Sequence, residues 1–203
     1  KGNWNFGFNG KGRTSEGHRF NSDDQTGRIR SYLKYADRKG RTYRLSHILS
    51  QSDNGHPGFA STPSWRKSKR TSHYLQGHGF YPINPGMSMS HSLYFNKFDT
   101  KYYDKSGVPE NKVEGERLYE DFSAGLRSEM LITKWERWIV MLGTDLDFSE
   151  SNVTVFNPIY ESPSQFSFGS FFQSKYSIGN GWSMGTGLRY DFRNSDPGNG
   201  YAV

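Results

Sequence analysis

Apolar and polar residues alternate along most of the chain with a period of two. Trp4, Phe6 and Phe8 alternate with Asn5, Gly7 and Asn9. Ile29, Leu33 and Tyr35 alternate with Arg30, Tyr32 and Lys34, and Tyr43, Leu45 and Leu49 share one parity. Met87, Met89, Leu93 and Phe95 stand against Ser88, Ser90 and Ser92. Phe122, Ala124, Leu126, Met130 and Ile132 oppose Ser123, Arg127 and Glu129, while Trp138, Val140, Leu142, Leu146 and Phe148 oppose Asp145 and Asp147. Phe166, Phe168, Phe172, Tyr176 and Ile178 oppose Gln173 and Lys175, and after Gly-Asn-Gly the residues Trp182, Met184, Leu188, Tyr190 and Phe192 continue the pattern. This is the strand period, and no segment carries a helical one.

Between these segments, short and long connections alternate. DRKGR, YPINPG, TKWER and GNG are short and rich in turn formers, whereas residues 13–26, 53–69, 99–117 and 149–164 are long and polar. The spacing predicts about nine strands of roughly ten to fourteen residues, long against the five or six usual in soluble sheets. A strand crossing a bilayer at a tilt needs about 9–11 residues. Outer-membrane barrels combine short turns at one end, long loops at the other, a lipid-facing apolar band and aromatic girdles. The predicted fold is therefore all-β: an antiparallel transmembrane β-barrel or a large section of one, with residues 1–203 as a single β-barrel region. A soluble sandwich or barrel also alternates, but gives no reason for long strands, strict short-long asymmetry and aromatic excess together.

Composition sharpens this picture. Only 33% of the 203 residues are hydrophobic and 16% are aromatic, with 23 glycines and a mean hydropathy of −0.87. Half of each strand facing water accounts for the low mean. The absence of cysteine excludes a disulfide scaffold, thiolate metal ligation and a cysteine nucleophile. There is no run of about 18 apolar residues to form a transmembrane helix. The opening KGNWNFGFNG has no leader-like apolar core, so a leader is expected to have been removed or the stretch to be internal to a longer chain. The net charge of +6 favours anionic partners.

Several stretches resemble the barrel of TonB-dependent outer-membrane receptors of the siderophore type. QSDNGHPG (51–58) resembles a strand-end motif of the early barrel, and RWIVMLGTDLDF (137–148) is similar to strands that carry a Gly and a closing Asp. SFGSFFQSKYSIGNGWSMGTGLRYDF (167–192) resembles a hairpin of the family, NPIYESP (157–163) an extracellular loop, and the final GNGYAV the start of a further stretch. The resemblance implies the middle portion of such a barrel in a bacterial outer membrane. It implies import of a ferric siderophore or similar chelate, with lipid bilayer and lipopolysaccharide as surroundings. The plug domain that contacts TonB and the closing aromatic strand are not found in this sequence. The odd strand count also departs from the even counts of bacterial single-chain barrels.

No catalytic constellation stands out, so a binding and transport protein is expected rather than an enzyme. His18, His47, His56, His73, His78 and His91 are scattered without metal spacing, and neither a metal nor a cofactor is predicted. GNG and GTG lack the Lys-Ser/Thr of a phosphate loop and read as a tight turn and small strand residues. Asp145 and Asp147 share a strand face, where lumenal charge is the simpler reading than paired-carboxylate chemistry. Ser72–His73 and Ser90–His91 are the adjacent pairs a phospholipase-like barrel enzyme would draw on. The basic loop SWRKSKR (64–70) suits an anionic chelate or lipopolysaccharide better than nucleic acid. The candidate ligand-binding residues are His56, Trp65, Arg66, Arg70, Tyr102, Tyr103, Phe156 and Tyr160, all placed in loops or the upper wall. A passive porin or small barrel, and a soluble β-rich carbohydrate-binding module, are the alternative functions.

Overall fold

The computed structural model describes residues 2–18, 22–59, 62–104, 115–154 and 163–196. Among them, nine strands run in chain order: β1 (Asn3–Ser15), β2 (Asp24–Ala36), β3 (Thr42–Phe59), β4 (Thr62–Asn84), β5 (Met87–Asp104), β6 (Gly115–Trp135), β7 (Trp138–Thr154), β8 (Ser164–Gly179) and β9 (Trp182–Asp196). They form one sheet in which each strand pairs antiparallel with its sequence neighbours, in the order β1 to β9. There is no helix among the described residues. The sheet is not closed, and its up-and-down order is that of a section of a barrel wall.

Tight turns collect at one end. Asp37 organises the β2–β3 turn: its carboxylate accepts the backbone N–H groups of Lys39 and Arg41, each at 2.9 Å, and the Arg41 side chain at 2.6 Å. Pro85-Gly86 joins β4 to β5, with Gly86 at φ 94° as a type II turn requires. Asn180-Gly181 joins β8 to β9 with φ 51° and 82°, the type I′ geometry that matches strand twist. These turns are stitched sideways. The Gly86 carbonyl accepts the Thr133 N–H at 2.6 Å and the Arg137 carbonyl accepts the Ser177 N–H at 2.8 Å.

The other end departs from expectation. Residues 53–69 are not a long connection, because β3 and β4 stay paired from Asn54↔Ser68 to Phe59↔Thr62. Strands run from 13 to 23 residues, longer than predicted. The reason is physical: once both faces of a strand are wet, alternation vanishes and a paired polar strand reads as a loop. Pro57 sits at the register shift between His56 and Gly58, where a residue without an N–H interrupts no regular ladder.

The register divides the side chains between two faces. One face carries Phe6, Leu33, Leu45, Gly77, Leu93, Leu126, Leu146, Phe168 and Phe192 in a single row of paired positions. The other carries the polar partners, such as Lys34, Arg44, His78, Ser92, Arg127, Asp145 and Asp191. No described residue covers the apolar face. Phe171 is the one buried hydrophobic residue among those described, whereas Leu188 is 77% and Trp182 74% exposed. The chain exposes 15066 Å², against roughly 9,700 Å² for a compact soluble monomer of its mass.

Aromatic rings border this face. Toward the tight turns, Trp4, Tyr35, Tyr43 and Tyr81 touch in sequence, with centroids 4.7, 6.0 and 5.3 Å apart, and Trp138 meets Tyr176 at 5.5 Å. Toward the other end, Phe95, Phe122 and Phe148 follow one another at 4.9 and 6.0 Å. The next outward positions along those strands are Lys97, Glu120 and Glu150, so the apolar face ends abruptly in charge.

Two outcomes follow for the turns. Gly86→Ala places a β-carbon 2.8 Å from the Lys134 Cα at positive φ and is expected to lower stability by at least about 1 kcal/mol, read from the urea midpoint of the folded chain. The Asp37 carboxyl is pushed up by desolvation, but the Arg41 N–H and guanidinium and the Lys39 N–H outweigh this and hold it below the usual carboxylate range. Its contribution is therefore complete above about pH 4 and is lost as pH falls through the lower folded value. Asp37→Asn is expected to flatten that acid limb in a stability-against-pH series.

Candidate ligand-binding wall

The polar face is built on out-of-phase aromatics seated over glycines. Tyr94 faces Gly125 across the β5–β6 pair, and Gly125 faces Asp147 on β7. With no β-carbon at 125, the Tyr94 ring lies flat over that strand, and its hydroxyl donates to Asp147 Oδ1 at 2.5 Å. Phe171 lies over Gly143 in the same way, and Tyr32 over Gly7. A side chain at any of these glycines would collide with the ring, so glycine here permits close approach.

Around Phe171 the charges interlock. Arg127 and Arg189 lie on its ring, 5.3 and 6.0 Å from the centroid. Arg189 holds Asp145 at 3.0 Å and Asp191 at 2.7 Å, while Arg127 holds Glu129 at 2.6 Å and reaches Asp145 at 3.6 Å. The two carboxylates flagged on β7 are therefore separated in role: Asp145 is neutralised by two guanidiniums, and Asp147 accepts a phenol.

A second group lies at the end away from the tight turns. His56 Nε2 meets the Ser68 hydroxyl at 2.9 Å, and its ring stacks near Tyr102 at 6.4 Å. Tyr102 abuts Tyr119 edge-on at 5.5 Å. One step lower, the Arg70 guanidinium lies 5.1 Å from the Phe98 ring, which Tyr74 meets edge-on at 5.2 Å. The Ser151 hydroxyl donates to Asp121, which faces Phe98 across the β5–β6 pair. Aromatic faces, a guanidinium and an imidazole thus share one polar surface of β3 to β6, an arrangement with donors and ring faces that could meet an anionic or aromatic group.

The fold brings His56, Arg66, Arg70 and Tyr102 of the sequence-predicted residues onto this surface. Tyr103 pairs with Lys67 on the opposite face. Trp65 belongs to β4, with its side chain outside the described residues, where Phe156 and Tyr160 also fall. Sequence reasoning missed Tyr74, Phe98 and Tyr119. Their signal is parity: each is an aromatic on the polar beat of its strand.

The remaining histidines settle elsewhere. His73 stacks with His47 on the apolar face at 5.7 Å, whereas His78 bonds the Ser92 hydroxyl at 3.0 Å on the polar face. Ser72 and His73, like Ser90 and His91, point to opposite faces. His91 instead bonds the Ser128 hydroxyl at 2.8 Å across the β5–β6 pair. No carboxylate orients that ring among the described residues, and its neighbour is the Tyr81 ring at 5.7 Å. The pair reads as mutual satisfaction of two polar groups on an apolar face.

No known family model matches the chain, and no curated protein matches it.

Tyr94→Phe is expected to cost roughly 1.5 kcal/mol or more, as for a hydrogen bond to a charged group. Gly125→Ala should cost more than Gly185→Ala, where the nearest atom to an added β-carbon is 3.7 Å away. Urea unfolding of the three variants provides the measurement, and equal midpoints for the two alanine variants would contradict the seating of Tyr94.

Proposed function

We propose that this chain is a membrane-spanning wall of a bacterial outer-membrane uptake receptor, binding an anionic metal chelate such as a ferric siderophore. The carrying observation is the uncovered apolar face with its sharp ends. On β6 it extends from Ile132 to Phe122 and then changes to Glu120. Ten residue steps at about 3.4 Å, tilted by about 40°, give about 25 Å, the height of the lipid-facing band of such barrels. Aromatic rows stand at both limits, where amphipathic rings favour the interface. Polar side chains within the band pair with one another, as His91 does with Ser128. Two faces of opposite character suit hydrocarbon outside and water inside.

The receptor reading is supported by the wet wall of His56, Arg66, Arg70, Tyr102, Tyr119 and Phe98 at the end away from the tight turns, and by the motif resemblance. Affinity would come from rings and cations on this wall. Directional import would depend on TonB acting through a plug domain of the parent protein.

Leu142→Arg on the apolar face is expected to destabilise the bilayer-inserted chain by about 2–4 kcal/mol, while Ser149→Arg on the polar face costs little. Equal tolerance of both in a vesicle-folding titration rejects the membrane reading. For the receptor reading, the chain in detergent is titrated with ferric hydroxamate and ferric catecholate chelates. Binding weakened at least about tenfold by Arg66→Ala/Arg70→Ala is expected. Free ion conductance in planar bilayers without binding of either chelate favours a passive pore instead.

A further inference from the structure

The polar face is divided by charge. On β6 to β9 each of Arg127 and Arg189 is matched by carboxylates within 4 Å. On β1 and β2 the same face carries Lys11, Arg13, Arg28, Arg30 and Lys34 against a single carboxylate, Asp24. Asp24 is already engaged: Arg13 reaches it at 3.3 Å and the Thr26 hydroxyl at 3.1 Å.

The side chains of Lys11, Arg28 and Arg30 are exposed and make no ion pair or hydrogen bond with any described residue. Lys11 stands directly opposite Arg28 in the β1–β2 register, and Arg30 is the next residue on that face of β2, opposite Asn9. Like charges placed directly across an antiparallel pair repel and cost stability. Strands lie about 4.8 Å apart and same-face neighbours about 7 Å apart, so the Cα atoms that carry the three cations fall within about 10 Å. An uncompensated cation triad of that span, flanked by an amide, fits one small solute carrying two or more negative charges.

We infer that Lys11, Arg28 and Arg30 form a binding site for a multiply charged oxyanion, a polycarboxylate or a polyphosphate, on the wet face of β1 and β2. It is separate from the His56–Tyr102 wall on β3 to β6. It rests on the reading of the polar face as the water-lined side, since only there is a soluble anion at hand. The guanidiniums supply forked donors to paired oxygens, and the lysine adds a point charge.

The test is calorimetric titration of the full chain, folded in zwitterionic detergent, with citrate and with pyrophosphate, glucose serving as the uncharged control. Saturable binding of citrate, pyrophosphate or both is expected, and which of them binds identifies the class. Lys11→Gln/Arg28→Gln/Arg30→Gln is expected to weaken it at least about tenfold, whereas Arg193→Gln on the carboxylate-rich sector leaves it unchanged. Binding should also weaken steeply as salt rises from about 50 to about 300 mM, a readout that needs no variant. No binding of either anion, unchanged affinity in the triple variant, or indifference to salt overturns the site. The membrane reading fails separately, through Leu142→Arg in vesicles, so the two failures are distinguishable.

Discussion

An apolar face that the described residues leave uncovered is the constraint on which everything else here depends. A soluble sheet of this size folds a second layer over its greasy side, because burial at about 25 cal/mol per Å² is the dominant favourable contribution to folding. Here the backbones of the described residues approach one another only between neighbouring strands, and Leu33, Leu45, Leu93, Leu126 and Leu188 are left open. The rest of the design is intelligible if another medium covers that face. The aromatic borders, the abrupt change to Lys97, Glu120 and Glu150, and the mutual pairing of His91 and Ser128 all belong to a slab of limited height. We propose hydrocarbon as that medium.

The opposite face has a different problem: a charged surface must stay ordered without a packed core behind it. Glycine is part of the solution. By omitting side chains at Gly125 and Gly143, strands β6 and β7 let Tyr94 and Phe171 lie across their neighbours and bridge them. The charges then fall into place on these rings, with Arg127 and Arg189 held on Phe171 and tied to Asp145. Arg127 and Arg189 are compensated in that sector, whereas Lys11, Arg28 and Arg30 are not. The uneven distribution is what makes the basic sector informative.

Much of the fold was legible in advance. Alternation marked eight of the nine strands, all but β4, and sorted Leu142 from Asp145 and Met130 from Glu129 correctly, because a pleat admits only two directions for a side chain. Turn chemistry announced Asn180-Gly181 and Pro85-Gly86. The ends of β3 and β4 were not legible, since polar strands wet on both sides carry no alternation. Of the proposed ligand wall, His56, Arg66, Arg70 and Tyr102 were named from residue type, whereas Tyr119, Phe98 and Tyr74, which share their face, were not. An aromatic on the polar beat is a weaker cue than one on the apolar beat, but on this face it is the more telling one.

Period and turn type are local properties, so the chain of letters was enough to determine an up-and-down sheet with a greasy side, a wet side and one tight-turned end. Which side chains meet is not local. Tyr94 finds Asp147 two strands away, and Arg189 finds Asp145 across β8. His56 comes beside Ser68 and Tyr102 only because β3, β4 and β5 stop sliding at one alignment. That alignment emerges from the backbone ladder and the turns acting together. A shift of one residue would have sent every charge to the apolar side, and a shift of two would have kept the faces but dissolved each of these partnerships.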